Sequence, residues 1–138
     1  MKQIILMACM LAISTFLFAS TPPEAVTKAF NQKFPSATHV KWDKENAHEY
    51  EASFEWKGVN YSANFSDLGL WLEIESPSSL NQLPEKVQTS FNATHKGAKV
   101  KAVAKIETSK GITKFEIEIK QGNKTIELFY TAEGTEIK

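Results

Sequence analysis

One segment of this chain occurs twice, and the duplication constrains the fold more than any other feature. Pro23-Glu24-Ala25-Val26-Thr27-Lys28-Ala29-Phe30 is echoed about sixty residues later by Pro84-Glu85-Lys86-Val87-Gln88-Thr89-Ser90-Phe91. Each copy runs on into alternating apolar and charged residues that end near a glycine, Gly69 or Gly134. Repetition at such a period means one supersecondary unit built twice.

Each unit opens with a helix. Thr21 can cap the first, prolines are tolerated in a first turn, and an early acid, Glu24, suits the helix dipole. Val26, Ala29, Phe30 and Phe34 recur at three- and four-residue steps and make one apolar stripe, which Pro35 ends. Val87, Phe91 and Ala93 repeat the stripe, and Gly97 closes the second helix. His95 takes the slot of Phe34 and reads as a partly buried structural histidine.

Strands follow, with a period of two. Tyr50, Ala52, Phe54 and Trp56 alternate with Glu49, Glu51, Ser53 and Glu55, then Lys57-Gly58-Val59-Asn60 turns the chain into Tyr61, Ala63 and Phe65. Leu70, Leu72 and Ile74 are expected to face inward. In the second unit the inward set is Val100, Ala102, Ala104 and Ile106, then Phe115, Ile117 and Ile119, then Ile126, Leu128 and Tyr130. The strand offset between copies exceeds the helix offset, which places extra residues in the first hairpin of copy two, around Thr108-Ser109-Lys110-Gly111. The expected fold is α+β, two tandem α-β-β-β-β repeats with helices on one face of an antiparallel sheet. Repeat one covers residues 20–75, a linker 76–82 and repeat two 83–138.

The chain opens with an export signal, residues 1–19. Lys2 precedes an apolar run from Ile4 to Ala19 that is too short to span a membrane and is followed by Pro22-Pro23. Cleavage is expected near Ala19, which gives a periplasmic or secreted protein with no membrane association afterwards. A lipoprotein reading through Cys9 is disfavoured, because Met7 is awkward in that motif and the apolar stretch runs well past Cys9. Cys9 is the sole cysteine, so disulfides and thiolate metal sites are excluded from the exported part. With 16 basic and 16 acidic residues overall, and Lys2 lost with the signal, the net charge is about −1. Nucleic acid and anionic membranes are therefore poor partners.

Residues that do chemistry are hard to find. His39, His48 and His95 are scattered, and no Asp-x-Asp-x-Asp calcium loop occurs, so no metal site is expected. Glu49, Glu51 and Glu55, with Glu116 and Glu118, alternate with apolar residues and read as a solvated sheet face. Without a Gly-x-Ser-x-Gly elbow or other nucleophile context, the chain is expected to be no enzyme and to need no cofactor.

Pro-Glu-x-Val-x-x-x-Phe, followed by Phe34-Pro35-x-Ala37, Val40-Lys41-Trp42, Tyr50-Glu51-Ala52, Gly58, Tyr61-Ser62-Ala63 and Gly69-x-Trp71-Leu72-Glu73, resembles the PepSY-like proteins related in fold to β-lactamase inhibitory protein. The resemblance spans essentially the whole exported chain. Copy two departs from it by lacking an aromatic after its helix and both tryptophans. It implies a small exported bacterial protein without enzymatic activity. Inhibition of a β-lactamase is a fold analogy, and no inhibitory loop can be carried over residue by residue. Restraint of secreted peptidases is likewise only implied by the PepSY name.

What remains is surface. If Leu70, Leu72 and Ile74 face inward, Trp71 and Glu73 face outward; the opposite phasing makes Trp71 a core residue. The candidate recognition set is Trp71, Glu73, Glu49, Glu51, Glu116, Glu118 and Phe129. With them the phase argument places Lys41, Asp43, Glu55, Lys101, Lys105 and Lys120 on the open face. The expected function is an exported module gripping a protein or peptide on that face. A periplasmic small-molecule or metal-ion carrier is the alternative.

Overall fold

The computed structural model describes residues 21–137. The expected export signal, with Cys9, lies outside them. Helix α1 (Glu24–Lys33) leads into strands β1 (Thr38–Asn46), β2 (Glu49–Trp56), β3 (Val59–Ser66) and β4 (Trp71–Pro77). A 3-10 turn (Leu80–Gln82) precedes α2 (Glu85–Thr94), followed by β5 (Lys99–Thr108), β6 (Thr113–Gln121), β7 (Lys124–Thr131) and β8 (Glu136–Ile137). The fold is α+β and the repeat is real. All eight strands form a single antiparallel sheet in chain order, and β4 pairs with β5 to join the copies edge to edge. No helix among the described residues is long and apolar enough to cross a membrane.

Both helices are ten residues long, too short to persist alone in water. Packing holds them. Pro23 and Pro84 occupy the N-cap positions without a side-chain cap, so Thr21 does not cap α1. Val26 and Phe30 of α1 are buried with Phe34 against Ala52, Phe54, Ala63 and Phe65. Val87 and Phe91 of α2 are buried with Leu83 against Val103, Phe115, Ile117, Ile119, Leu128 and Tyr130. The first core is aromatic: Phe30 meets Phe54 edge-on at 4.9 Å, and Trp42 and Trp56 pack at its margin. Trp56 also donates its indole N–H to the Pro35 carbonyl at 2.9 Å. The second core is mainly aliphatic.

The copies share one further device. Gly69 and Gly134 sit in turns with φ of +80° and +84°, pressed against the first turn of α1 and α2 respectively. His95 behaves structurally, stacked on Phe91 with Nε2 3.1 Å from Glu136, whose other partner is the Tyr130 hydroxyl. The added length in copy two falls in the β5–β6 hairpin, between Thr108 and Thr113.

Two irregularities reset the expected phase. A register shift between Val100 and Ala102 leaves Val103 on the helix side, while Ala102, Ala104 and Ile106 face the other way. Lys105 consequently stands on the helix side, opposite Phe115, paired with Glu107 at 2.8 Å. A second shift, between Asn64 and Phe65, sets Trp71 across from the core residue Phe65. Trp71 and Ile74 therefore both pack on the α1 core, while Leu72 turns to the open side and Leu70 is exposed.

Candidate functional site

The helices cover one side of the sheet, and the alternation of strand side chains delivers acids to the other. Glu51 of β2 lies across from Asn64 of β3, which lies across from Glu73 of β4. One row further, Ser62, Glu75, Ile106 and Lys114 stand side by side across β3 to β6. On the last hairpin Glu118 faces Glu127, and Glu116 faces Phe129.

The sheet curls so that these rows enclose a trough of about 450 Å³. Glu45, Glu51, Glu73, Glu75, Glu116, Glu118 and Glu127 line it, with Lys114 as the one basic side chain among its walls. Phe129 and Ile137 form an apolar lip. Lys114 is committed to Glu73, with Nζ 3.2 Å from Oε2. Glu51 accepts a hydrogen bond from the Ser62 hydroxyl at 2.8 Å. Ile106, fully buried, lies in β5 between Glu75 and Lys114. A neighbouring groove of about 500 Å³ shares Ser62, Glu75 and Glu118 and adds His39, Lys41 and Glu55.

Glu116 stands apart. It is the buried charged residue of the described chain, 8% exposed, and its carboxyl has no hydrogen-bond partner among the described residues. Burial, reinforced by Glu75, Glu127, Glu118 and Glu51, pushes it up to about 8. Burial followed by Glu51 and Glu73 raises Glu75 to about 7, and Lys114 only partly offsets this. Glu45 and Glu127 are raised as well, for the same reasons. One carboxylate oxygen from each of Glu116, Glu118 and Glu127 lies within 4.8 Å of the other two. Such a surface is built to take up positive charge, whether as protons, cations or basic side chains.

Of the residues singled out from the sequence, Glu51, Glu73, Glu116, Glu118 and Phe129 meet in this trough. Glu49 lies beside it, in a groove with Asn64, Leu72 and Lys114. Trp71 does not belong to the open face: its ring packs on the α1 core, with Lys33 Nζ 3.6 Å from its centroid. Lys105 is likewise removed to the helix side. Sequence reasoning missed Glu45, Glu127 and the turn of Ile106 to the open side. Glu127 was within reach, because the turn that pairs Gln121 with Lys124 sets it opposite Glu118. The three histidines are apart, each beside a different acid: Glu55, Asp67 or Glu136.

Comparison with known proteins gives this architecture a family. A crystal structure of a DUF2874 family protein from Bacteroides ovatus is 28% identical, with a TM-score of 0.70 over 86% of each chain. A BLIP-like protein from Bacteroides fragilis is 26% identical, with a TM-score of 0.64 over 86% of this chain and 85% of that one. A protein of Bacteroides eggerthii described as "putative periplasmic" shares the fold at 19% identity, with a TM-score of 0.72 over 86% and 88%. No curated protein matches the chain. The profile of the family described as "Putative beta-lactamase-inhibitor-like, PepSY-like" matches residues 17–61 and again 48–138, and the two matches together span both repeats. The chain belongs to this PepSY-like family.

Proposed function

We propose that this protein is a non-catalytic, exported binding module that holds a protein or peptide segment against the open face of its sheet, with basic side chains of the ligand anchored in the acidic trough. One observation carries the reading: seven carboxylates surround a single lysine in a trough assembled from both repeats. Charge complementarity of this kind favours one class of partner and steers its approach. Phe129 and Ile137 add the apolar contact that an extended segment needs. The inhibitor-like family supports a recognition role without catalysis, and regulation of a secreted peptidase is the form of it that the PepSY resemblance suggests. The N-terminal leader and the relative described as periplasmic support export. A carrier with its ligand between helices and sheet has less support, because Phe30, Phe54 and Phe65 on one side and Phe91 and Ile117 on the other are packed into that space.

Binding to an array of peptides of equal length and graded charge tests the proposal. The protein should retain Lys- and Arg-rich peptides, lose them as salt rises from about 50 to about 500 mM, and lose them in a Glu51→Lys/Glu118→Lys variant. Retention of the same peptides by that variant, with an unchanged circular-dichroism spectrum, would sink the trough as the binding surface.

A further inference from the structure

We propose that Glu116, Glu118 and Glu127 form a binding site for a hard divalent cation of the Ca²⁺ class. Glu116 and Glu118 are alternate residues of β6, and Glu127 of β7 stands directly opposite Glu118. Like charges facing each other across a strand pair destabilise a sheet unless something neutralises them. One oxygen from each of the three carboxylates lies within 4.8 Å of the other two. Calcium binds oxygen at roughly 2.3–2.6 Å, so oxygens up to about 5 Å apart can share one ion. The three side chains can thus ligate together without moving their strands.

The burial of Glu116 is a separate observation pointing the same way. A glutamate only 8% exposed, facing the trough and without a hydrogen-bond partner among the described residues, must either hold a proton or take up a cation in its place. Lys114, the basic side chain of the trough, is already held by Glu73. The donor set is all oxygen, with no histidine or cysteine, which suits Ca²⁺, Mg²⁺ or Mn²⁺ rather than Zn²⁺. Three protein ligands leave the remaining positions to water, and Ca²⁺ tolerates such an irregular shell best. The affinity expected is that of extracellular calcium modules, a Kd of roughly 10⁻⁴–10⁻³ M. The inference is independent of the peptide reading, since the ion needs no second ligand.

The test is calorimetric and thermal titration of the EDTA-treated protein with CaCl₂, MgCl₂ and MnCl₂ at pH 8.5, without any peptide. One ion should bind per chain, and 10 mM Ca²⁺ should raise the melting temperature by about 3 °C or more, because it binds the folded state alone. Glu118→Gln and Glu127→Gln should each weaken binding at least about tenfold and, by removing like-charge repulsion, should raise the metal-free melting temperature. That second readout shows that the variants fold. Glu133→Gln, on an exposed turn, should titrate like the parent protein. Absence of heat and of a thermal shift with all three ions would overturn the site. So would a response that the Glu118 and Glu127 variants retain in full.

Discussion

Lys114 and Glu73 hold the two repeats together across the trough: Nζ of the β6 lysine lies 3.2 Å from Oε2 of the β4 glutamate, on the far side of β5. Each side chain is about three-quarters buried, at 27% and 23% exposure. The pair is therefore less screened than a surface ion pair. Lys114 is also the basic group that faces the remaining acids of the trough. Replacing it with methionine keeps the aliphatic stem and removes the charge. Lys114→Met should lower stability by about 1–2 kcal/mol at pH 8 and by clearly less at pH 5, where Glu75, whose ionised form Lys114 favours, is protonated. Urea denaturation at the two pH values measures the difference. Equal losses at both would mean that the lysine acts only by packing.

The raised carboxyls set the sign of the pH dependence. Glu75 and Glu116 ionise near 4.5 when unfolded but only near 7 and 8 when folded. Between those limits the native state holds protons that the unfolded chain has released, so stability falls as pH rises. In metal-free buffer the melting temperature should drop by more than about 5 °C between pH 5.5 and pH 9. Glu116→Gln, with no carboxyl to ionise, should flatten the upper part of that curve and exceed the parent protein at pH 9. A melting temperature that rises with pH would contradict the burial of these acids.

The two turn glycines make a matched pair of probes. A Cβ on Gly69 would meet the Ala25 carbonyl oxygen at 2.6 Å, and one on Gly134 would collide with the Lys86 carbonyl oxygen. Gly58 also has positive φ, +78°, but a Cβ there meets nothing. Gly58→Ala should cost about 1 kcal/mol for backbone strain alone. Gly69→Ala and Gly134→Ala must also push the turn off its helix and should cost more than about 2 kcal/mol each. Chemical denaturation of the three variants gives the ranking, and equal costs would show that the turns do not brace the helices.

Ser36 offers a gain. It follows α1 with φ of +66°, the position that Gly97, at +78°, fills after α2. A side chain in this left-handed conformation is strained, and glycine removes the strain. Ser36→Gly should stabilise the protein by about 0.5–1 kcal/mol, read as a shift of the urea midpoint at constant slope.

Much of this was legible in the chain. Repetition and period gave both helices, the hairpins and the segregation of Glu51, Glu116 and Glu118 from Phe54 and Ile117. Two things were not legible, and they share a cause. An alternation argument carries phase forward one residue at a time, and a bulge adds a residue that composition does not mark. The shift at Val100–Ala102 exchanged Ile106 for Lys105 as occupants of the open face. The shift at Asn64–Phe65 did the same to Leu72 and Trp71. The trough itself depends on sheet curvature, which brings Glu45 of β1 within electrostatic reach of Glu127 on β7. No pattern along one strand encodes that approach.

Trp71 separates the roles of the two faces. Its indole packs on the α1 core beneath Lys33 and donates its N–H to the Glu73 carbonyl at 3.0 Å. It is half-buried, so truncation forfeits part of a large apolar contact and the cation–π contact with Lys33. Trp71→Ala should therefore lower stability by about 2–3 kcal/mol. Well below its melting temperature it should still bind whatever basic peptides the parent protein retains, with Kd changed less than about threefold. A folded Trp71→Ala protein that had lost those peptides would return the tryptophan to the recognition surface. It would also place the ligand on the helix side of the sheet rather than among the acids.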